Sequence, residues 1–125
     1  MNIKVDISVG ELVDKITILE IKLQRIDNLN KKKFIEKELQ VLNEVYTRIA
    51  DLNSETLKTK LLYINNKLWD IEDNIRVKDS KNEFDDEFIK LAKSVYVTND
   101  ERFKLKNEIN LLYNSFIQEQ KSYKF

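Results

Sequence analysis

At 125 residues the chain has the length of one domain, and its 22 Lys plus Arg residues balance 22 Asp plus Glu residues, so we predict neither nucleic acid nor a membrane as a partner. Cysteine, histidine and proline are absent and there is one glycine, which excludes disulfides, His- or Cys-ligated metals, Ser-His-Asp catalysis and Gly-rich phosphate loops. No apolar run resembles a membrane span or an export signal, and we therefore expect a cytoplasmic protein whose residues 1–125 form one α-helical domain.

The first residues of the chain show the period-two pattern of a half-buried strand. Ile3, Val5 and Ile7 are apolar, whereas the residues between them are polar. A single strand needs a partner for its backbone, so this segment either pairs with its copy in a second subunit or lies extended along the helices. The strand pattern stops at Ser8, which forms with Glu11 a capping box that opens the first helix.

Two helices follow, and their apolar residues recur at alternating spacings of four and three. We predict helix one over residues 11–26 and helix two over residues 32–51, with a polar break at 27–31 between them. A break this short makes the two helices antiparallel neighbours in a hairpin. The predicted buried seams are Leu12, Ile16, Leu19, Leu23 and Ile26 in helix one, and Ile35, Leu39, Leu42, Tyr46 and Ile49 in helix two.

Helix three is the longest predicted element. It begins at an Asn53 or Ser54 cap and runs to about residue 77, and residues 79–83 form the most loop-like segment of the chain. A helix of this length spans the whole hairpin of helices one and two. Its predicted buried seam consists of Leu57, Leu61, Ile64, Leu68, Ile71 and Ile75.

Two shorter helices complete the predicted fold. Helix four covers the apolar residues of 88–95, and a second capping box, Thr98 with Glu101, starts helix five, whose seam reaches Phe116. The tail at 118–125 has no clear period. We therefore predict an all-α fold, an antiparallel bundle of about five helices with a short N-terminal extended segment or strand. Because a small bundle often completes its core with a second copy, we expect a homo-oligomer, and by default a dimer.

Helix one carries a charged strip on the side opposite its seam. The simpler interpretation is a solvated surface supported by pairs at i and i+4, and the alternative is a binding surface. Glu20, at the edge of the apolar seam, is either paired with another side chain or directed into a cavity. The strip consists of Glu11, Asp14, Lys15, Ile18, Lys22 and Arg25.

Helix three carries a cluster that packing alone does not require. Asn65, Trp69, Glu72, Asp73 and Arg76 lie beside its seam and combine the only tryptophan with two carboxylates and a guanidinium. They form either a salt-bridged face, with Glu72 paired to Arg76, or a pocket. In a pocket, Trp69 offers a stacking plane, Arg76 binds an anion through two hydrogen bonds, and the carboxylates accept hydrogen bonds or bind a metal.

Helices five and one add further candidate binding residues. Asn99, Arg102 and Lys106 lie on neighbouring strips of helix five, where the two cations suit an anionic molecule. Lys15 and Lys22 contribute positive charge from helix one. The predicted pocket is therefore built from three helices.

The carboxylates permit a different chemistry, that of a metal site. Glu11 and Asp14 on helix one, with Glu72 and Asp73 on helix three, would hold Mg²⁺, which prefers oxygen ligands and keeps several waters. Carboxylate pairs also arise by chance in a chain in which 35% of the residues are charged. Mg²⁺ is the cofactor that this alternative requires.

Four blocks of sequence are distinctive. They are VGELVDKITILEIK at 9–22, LWDIEDNIR at 68–76, VYVTNDER at 95–102 and EQKSY at 119–123. Together they resemble the signature blocks of an uncharacterised bacterial and phage family, a domain of unknown function, and the resemblance covers nearly the whole chain. It implies a setting near sugar-transfer and cell-surface polysaccharide genes, or in phages, and it implies no activity.

We therefore predict a small helical protein that binds an anionic small molecule, a nucleotide or nucleotide-sugar, and that would sequester such a molecule in a phage. One alternative is a metal-dependent nucleotide hydrolase. Another is a protein-interaction adaptor linked to glycan or cell-surface polysaccharide synthesis. The sequence leaves open whether the chain is an enzyme. The predicted ligand-binding residues are Lys15, Lys22, Trp69, Arg76, Asn99, Arg102 and Lys106.

Overall fold

The computed structural model describes residues 1–123, and the regular structure within them is entirely helical. The helices are α1 (Val9–Arg25), α2 (Leu29–Thr47), α3 (Leu52–Ser80) and α4 (Asp86–Leu112). The all-α prediction is confirmed, but four helices replace the predicted five. None of these helices has the length and apolar content that a membrane crossing requires. Lys124 and Phe125, the last residues of the predicted tail, lie outside the described residues.

The start of α1 agrees with the sequence pattern. Ser8 is the N-cap and its hydroxyl accepts a hydrogen bond from the Glu11 amide at 3.1 Å. The Glu11 side chain forms an ion pair with Lys106 at 2.8 Å rather than returning to the cap. Residues 1–7 are exposed, and within the described chain they form neither a helix nor a strand. Residues 1–3 lie beside α2, and pairing of this segment with its copy in a second subunit stays a prediction.

α1 and α2 form the predicted hairpin, with a connection of only three residues. Asn28 is the N-cap of α2 and accepts a hydrogen bond from the Lys31 amide at 3.0 Å. Residues 29–31 therefore belong to the first turn of α2, and the predicted break is too long. The position of the capping side chain decides where a helix begins, and polar residues can also lie within the first turn. A run of polar residues in the sequence therefore does not by itself mark the start of a helix.

α3 begins earlier than either predicted cap. The Asp51 carboxylate accepts a hydrogen bond from the Ser54 amide at 2.8 Å, and the Ser54 hydroxyl accepts one from the Asp51 amide at 2.9 Å. This reciprocal pair is a complete capping box with Asp51 at the N-cap. Asn53 and Ser54 consequently lie within the first turn.

α4 is one continuous helix where the sequence predicts two. Thr98, the predicted cap of helix five, lies in the middle of α4 and is only 1% exposed. Its Oγ1 atom is buried without a hydrogen-bond partner among residues 1–123. A threonine caps a helix only where the backbone leaves the helical conformation, and no glycine or proline interrupts residues 86–112. α4 ends at Leu112, so the predicted seam residue Phe116 is outside it and exposed.

α1 is the central helix and contacts all three others. It is therefore buried on more than one side, and the prediction of a solvated strip opposite the seam is wrong for Asp14. Glu20 is paired, with its Oε1 atom 3.0 Å from Lys58 Nζ on α3. The main buried cluster of the hydrophobic core consists of Leu12, Val13, Ile16, Tyr46, Leu61 and Ile109.

Gly10 allows α4 to approach the first turn of α1. Its amide donates a hydrogen bond to Asn110 Oδ1 at 2.7 Å, and a Cβ atom at this position would overlap the Lys106 carbonyl oxygen. The next contact is made by the tail, where Ser115 Oγ accepts a hydrogen bond from the Val9 amide at 3.2 Å. This close packing sets the position of α4, and of its polar side chains, relative to α1.

Candidate functional site

A cavity of about 430 Å³ lies between α1, α3 and α4, and we call it the α1–α3–α4 cavity. Its apolar lining comes from Ile18 and Ile21 of α1 and from Leu68 and Trp69 of α3. Its polar lining consists of Asn65, Glu72, Asp73, Arg76 and Arg102. The whole cluster predicted on helix three therefore shares one space with Arg102 of α4.

Arg102 is held by a buried carboxylate. Asp14 is 1% exposed and accepts hydrogen bonds from Arg102 Nε at 2.9 Å and from Nη2 at 2.5 Å, one at each oxygen. This two-point contact fixes the plane of the guanidinium. The hydrogen bonds with Asp14 also raise the pKa of Arg102, which stays charged. Asp14 engages Nε and Nη2, and Nη1 forms no hydrogen bond within residues 1–123.

Asn65 connects the same carboxylate to α3. Its Nδ2 atom donates to Asp14 Oδ1 at 2.9 Å and to Thr17 Oγ1 at 2.9 Å, and Thr17 Oγ1 donates to the Asp14 carbonyl oxygen at 2.7 Å. All three residues are buried, and Asn65 also lines the cavity. The network therefore positions one polar side chain of α3 and one of α4 around a single anchor on α1.

Lys106 lies one turn beyond Arg102 on α4 and is surrounded by carboxylates. Its Nζ atom is 2.8 Å from Glu11 Oε2, 3.3 Å from Glu119 Oε2 and 4.0 Å from Asp14 Oδ2. Burial lowers the pKa of Lys106, but the hydrogen bond with Glu11 and the three nearby negative charges outweigh burial and raise it. Lys106 therefore stays protonated and joins the tail to α1, and it does not line the cavity.

The orientation of Trp69 is restricted by Arg25. The Arg25 Cζ atom lies 5.7 Å from the centre of the Trp69 ring, and Arg25 Nη1 binds Asp70 Oδ1 at 2.7 Å. The first distance is within the range of a cation–π contact. The aromatic surface that lines the cavity is consequently held in place by a residue that does not line it.

The charged residues of α3 at the cavity are not paired with one another. Within residues 1–123, Glu72, Asp73 and Arg76 form no ion pair, so the predicted Glu72 to Arg76 pair is absent there. A salt-bridged face is therefore not what this cluster forms. Its two carboxylates and its guanidinium remain available for contacts within the cavity.

The lining offers three kinds of contact to a small molecule. The Trp69 ring provides a stacking surface, and Arg76 and Arg102 provide donors for an anion. Glu72 and Asp73 provide acceptors for hydroxyl or amino groups. A molecule that carries a flat ring, an anionic group and hydrogen-bond donors would use all three.

The remaining predicted binding residues lie elsewhere. Lys15 is exposed on α1 and Lys22 is half-buried, and neither lines the α1–α3–α4 cavity. Asn99 lines a different cavity of about 520 Å³, together with Tyr96 of α4 and Tyr123 of the tail. The structure thus brings three of the seven predicted binding residues, Trp69, Arg76 and Arg102, to one place.

The predicted metal ligands are also divided between two places. Glu72 and Asp73 line the cavity, whereas Glu11 and Asp14 are bound by the cations of α4. Within residues 1–123, no group of three or more carboxylates is placed to hold a metal ion. The metal site stays a prediction.

Sequence reasoning missed the burial of Asp14 and the partners that it has in Thr17 and Asn65. The sequence signal for this burial is the pair Ile18 and Ile21, because both are apolar and lie outside the predicted seam of helix one. Both now line the cavity. Two isoleucines beside a carboxylate indicate a second buried side of the helix, and a buried carboxylate requires partners.

Comparison with known proteins gives one match. Residues 3–125 match a family described as "Family of unknown function (DUF6165)". No curated protein and no solved structure matches the chain. The match includes all four helices, and with them the cavity and the Asp14 network. The chain therefore belongs to the DUF6165 family.

Proposed function

We propose that this protein binds a small anionic molecule with an aromatic ring, a nucleotide or nucleotide-sugar, in the α1–α3–α4 cavity. The observation that carries the proposal is the meeting of the Trp69 ring with two guanidinium groups, Arg76 and Arg102, in one cavity of about 430 Å³. Small-molecule sites of roughly 300–1,000 Å³ with a few convergent polar groups are typical.

Each part of such a ligand has a matching group in the cavity. The ring stacks on Trp69, and the anionic group binds Arg76 and the free Nη1 atom of Arg102. Hydroxyl or amino groups of the ligand donate to Glu72 and Asp73. Because these carboxylates have no ion-pair partner in residues 1–123, binding removes no existing pair.

The two other predicted functions make different use of the same residues. A metal-dependent nucleotide hydrolase would bind Mg²⁺ through Glu72 and Asp73, the two predicted ligands that line the cavity. An adaptor for glycan synthesis would leave the cavity without a small molecule. The absence of cysteine supports the cytoplasm as the location of the protein, where a phage-encoded copy would sequester its ligand.

The test is a thermal-shift screen of the full chain against nucleotides, nucleotide-sugars and Mg²⁺, followed by calorimetric titration of each positive compound. A ligand that binds only the folded state at about 100 times its Kd adds about 2.7 kcal/mol to stability, which raises Tm by several degrees. We expect nucleotides or nucleotide-sugars to give this shift.

Two variants and two matched controls assign the effect to the cavity. Trp69→Ala and Arg76→Ala remove the stacking surface and one anion donor, and we expect each to abolish the shift. Tyr63→Ala on α3 and Arg48→Ala at the end of α2 remove an aromatic ring and a guanidinium outside the cavity, and we expect both to retain it.

The other outcomes each decide against the proposal. A flat screen with a folded protein would refute small-molecule binding and favour the adaptor. A shift produced by Mg²⁺ alone would favour the hydrolase. A nucleotide shift that survives both cavity variants would place binding elsewhere on the chain.

A further inference from the structure

The side of α2 that faces away from the core carries an exposed apolar stripe. Phe34, Val41 and Val45 are 78%, 61% and 47% exposed. Their spacings of seven and four place them on one side of the helix, and the stripe extends for roughly 16 Å at about 1.5 Å per residue. The core-facing residues of α2, among them Ile35 and Tyr46, lie on a different side.

The N-terminal segment enlarges this apolar surface. Residues 1–3 lie beside Phe34 and Val41 and form a groove with them. Ile3 and Val5 are themselves exposed. Within the described chain, no backbone group of residues 1–7 forms a hydrogen bond with another backbone group. A continuous exposed apolar surface of this kind marks an interaction site rather than an ordinary protein surface.

We propose that a second copy of this chain docks on this surface, with the two α2 helices antiparallel across a two-fold axis. The axis passes near Val41, so that Val41 meets Val41 of the partner subunit and Phe34 lies within about one helical turn of Val45 of the partner subunit. Such an interface is self-complementary, as the two-fold symmetry of a homodimer requires. The exposed apolar residues of the N-terminal segment add to the buried area at its edge.

The charges beside the stripe select the antiparallel arrangement. Lys37 and Glu44 are exposed, seven residues apart, and flank the stripe on the same side. Neither forms an ion pair within residues 1–123. Antiparallel helices place Lys37 opposite Glu44 of the partner subunit and Glu44 opposite Lys37 of the partner subunit. Parallel helices would place this flank against the other flank of the partner subunit, so Lys37 and Glu44 of the two chains would not meet.

Sedimentation velocity of the full chain at concentrations from about 1 to about 100 µM measures the dissociation constant (Kd) of the dimer directly. We expect a reversible dimer in this range. Val41→Asp places two carboxylates together on the axis, and we expect this variant to be monomeric throughout. Because Val41 is exposed in the single chain, its circular dichroism spectrum remains that of the wild type.

Charge reversal tests the orientation. Lys37→Glu and Glu44→Lys each replace two attractive pairs by two repulsive ones, and we expect each to raise the Kd of the dimer about tenfold. The double variant Lys37→Glu/Glu44→Lys exchanges the charges and restores the wild-type Kd, as does mixing the two single variants. Lys93→Glu on α4, an exposed lysine far from α2 in the chain, is the matched control and leaves the Kd unchanged.

Three results would overturn the proposal. The first is a wild-type chain that sediments as a monomer at every concentration. The second is a dimer that survives Val41→Asp, because its interface must then lie elsewhere. The third is a double charge variant that associates no better than the single variants, because Lys37 and Glu44 then do not meet across the axis.

Discussion

Asp14 carries a negative charge that has almost no contact with water. A buried carboxylate is tolerated only when its charge is balanced and its oxygens accept hydrogen bonds. Arg102 and Asn65 supply those bonds here, and Lys106 adds a second positive charge nearby. Stability and site geometry therefore depend on the same few side chains.

The first prediction concerns the removal of Arg102. Arg102→Met leaves Asp14 buried without its main counter-charge, and we expect the free energy of unfolding to fall by about 3–5 kcal/mol in urea denaturation. Arg76→Met removes an arginine without an ion pair from the same cavity and is the control, with a change within about 0.5 kcal/mol. Adding Asp14→Asn to Arg102→Met recovers part of the loss, because a neutral amide needs no counter-charge. A loss below about 1 kcal/mol for Arg102→Met would contradict this account.

The second prediction concerns the buried hydroxyl of Thr98. Thr98→Val keeps the shape of the side chain and removes a polar atom that has no partner in the described chain. We expect the free energy of unfolding to rise by about 1 kcal/mol. Thr98→Ser keeps the hydroxyl and removes the methyl group, so it lowers stability. Denaturant unfolding of the two variants checks the signs, and a Val variant less stable than wild type would show that the hydroxyl is satisfied.

At the scale of whole elements, apolar spacing predicted α1, α2 and α3 and most of their seam residues, but the predicted seam residue Ile49 lies beyond the end of α2 and is exposed. It failed at α4, where Thr98 and Glu101 match the residue types of a capping box. That pattern describes which residue types suit the start of a helix, but it does not show that a helix starts there. Thr98 is buried in the middle of α4, where no glycine or proline interrupts the helix.

The turn between α3 and α4 is fixed by charged residues. Asp85 is the N-cap of α4, where it accepts a hydrogen bond from the Phe88 amide at 3.0 Å and binds Lys78 Nζ at 2.8 Å. Glu83 and Glu87 also bind Lys78, at 3.2 and 3.3 Å. The hydrogen bond from Lys78, with that from the Phe88 amide, lowers the pKa of Asp85. The ionised form of this carboxylate therefore stabilises the fold.

The third prediction follows from this lowered pKa. The stabilisation is complete above the ordinary pKa of 3.8 and is lost as the pH falls below that value, through the lowered pKa of the folded state. Asp85→Asn removes the charge, so the advantage in Tm of the wild type over this variant should be constant at higher pH and disappear in strong acid. Thermal melts over a pH series measure it, with Asp86→Asn as the control. An advantage that persists in acid would exclude the charge as its source.

At the scale of the whole molecule, the proposed ligand-binding cavity and the proposed dimer interface lie on different elements. The cavity is lined by α1, α3 and α4, whereas the apolar stripe belongs to α2 and the N-terminal segment. α1 separates them as the central helix of the bundle. Ligand binding and association of the chain should therefore be independent.

This independence is the fourth prediction, and it rests on both proposals. Lys37→Glu should retain the ligand-induced rise in Tm, and Arg76→Ala should retain the wild-type dimer Kd within about twofold, because distant sites act additively. Sedimentation with and without saturating nucleotide measures the coupling. A tenfold change in the dimer Kd on nucleotide binding would contradict it.

The candidate site was only partly predictable at this scale. The pattern on α3 identified Trp69 and Arg76, because an unpaired mixture of aromatic and charged residues beside a seam is visible in the sequence. Which residue of α4 joins them depends on how α4 is positioned along α1. Gly10 sets that position through its contact with Lys106, and a single glycine in a helix reveals neither its neighbour nor the alignment. Of the predicted binding residues of α4, Arg102 therefore lines the cavity, whereas Asn99 and Lys106 do not.

The hydrogen bonds between Asp14 and Arg102 have a consequence for affinity. A flexible arginine loses rotational freedom when it grips a ligand, at a cost of about 0.5–1.5 kcal/mol for each side chain that becomes immobile. Arg102 has already lost that freedom on folding, because Asp14 holds two of its nitrogens. Arg76 has no such anchor in the described chain, so the proposed ligand would have to order it. Arg102 would therefore bind the proposed ligand at almost no cost in side-chain entropy. In the free protein, conformational disorder should be concentrated in the Arg76 side chain.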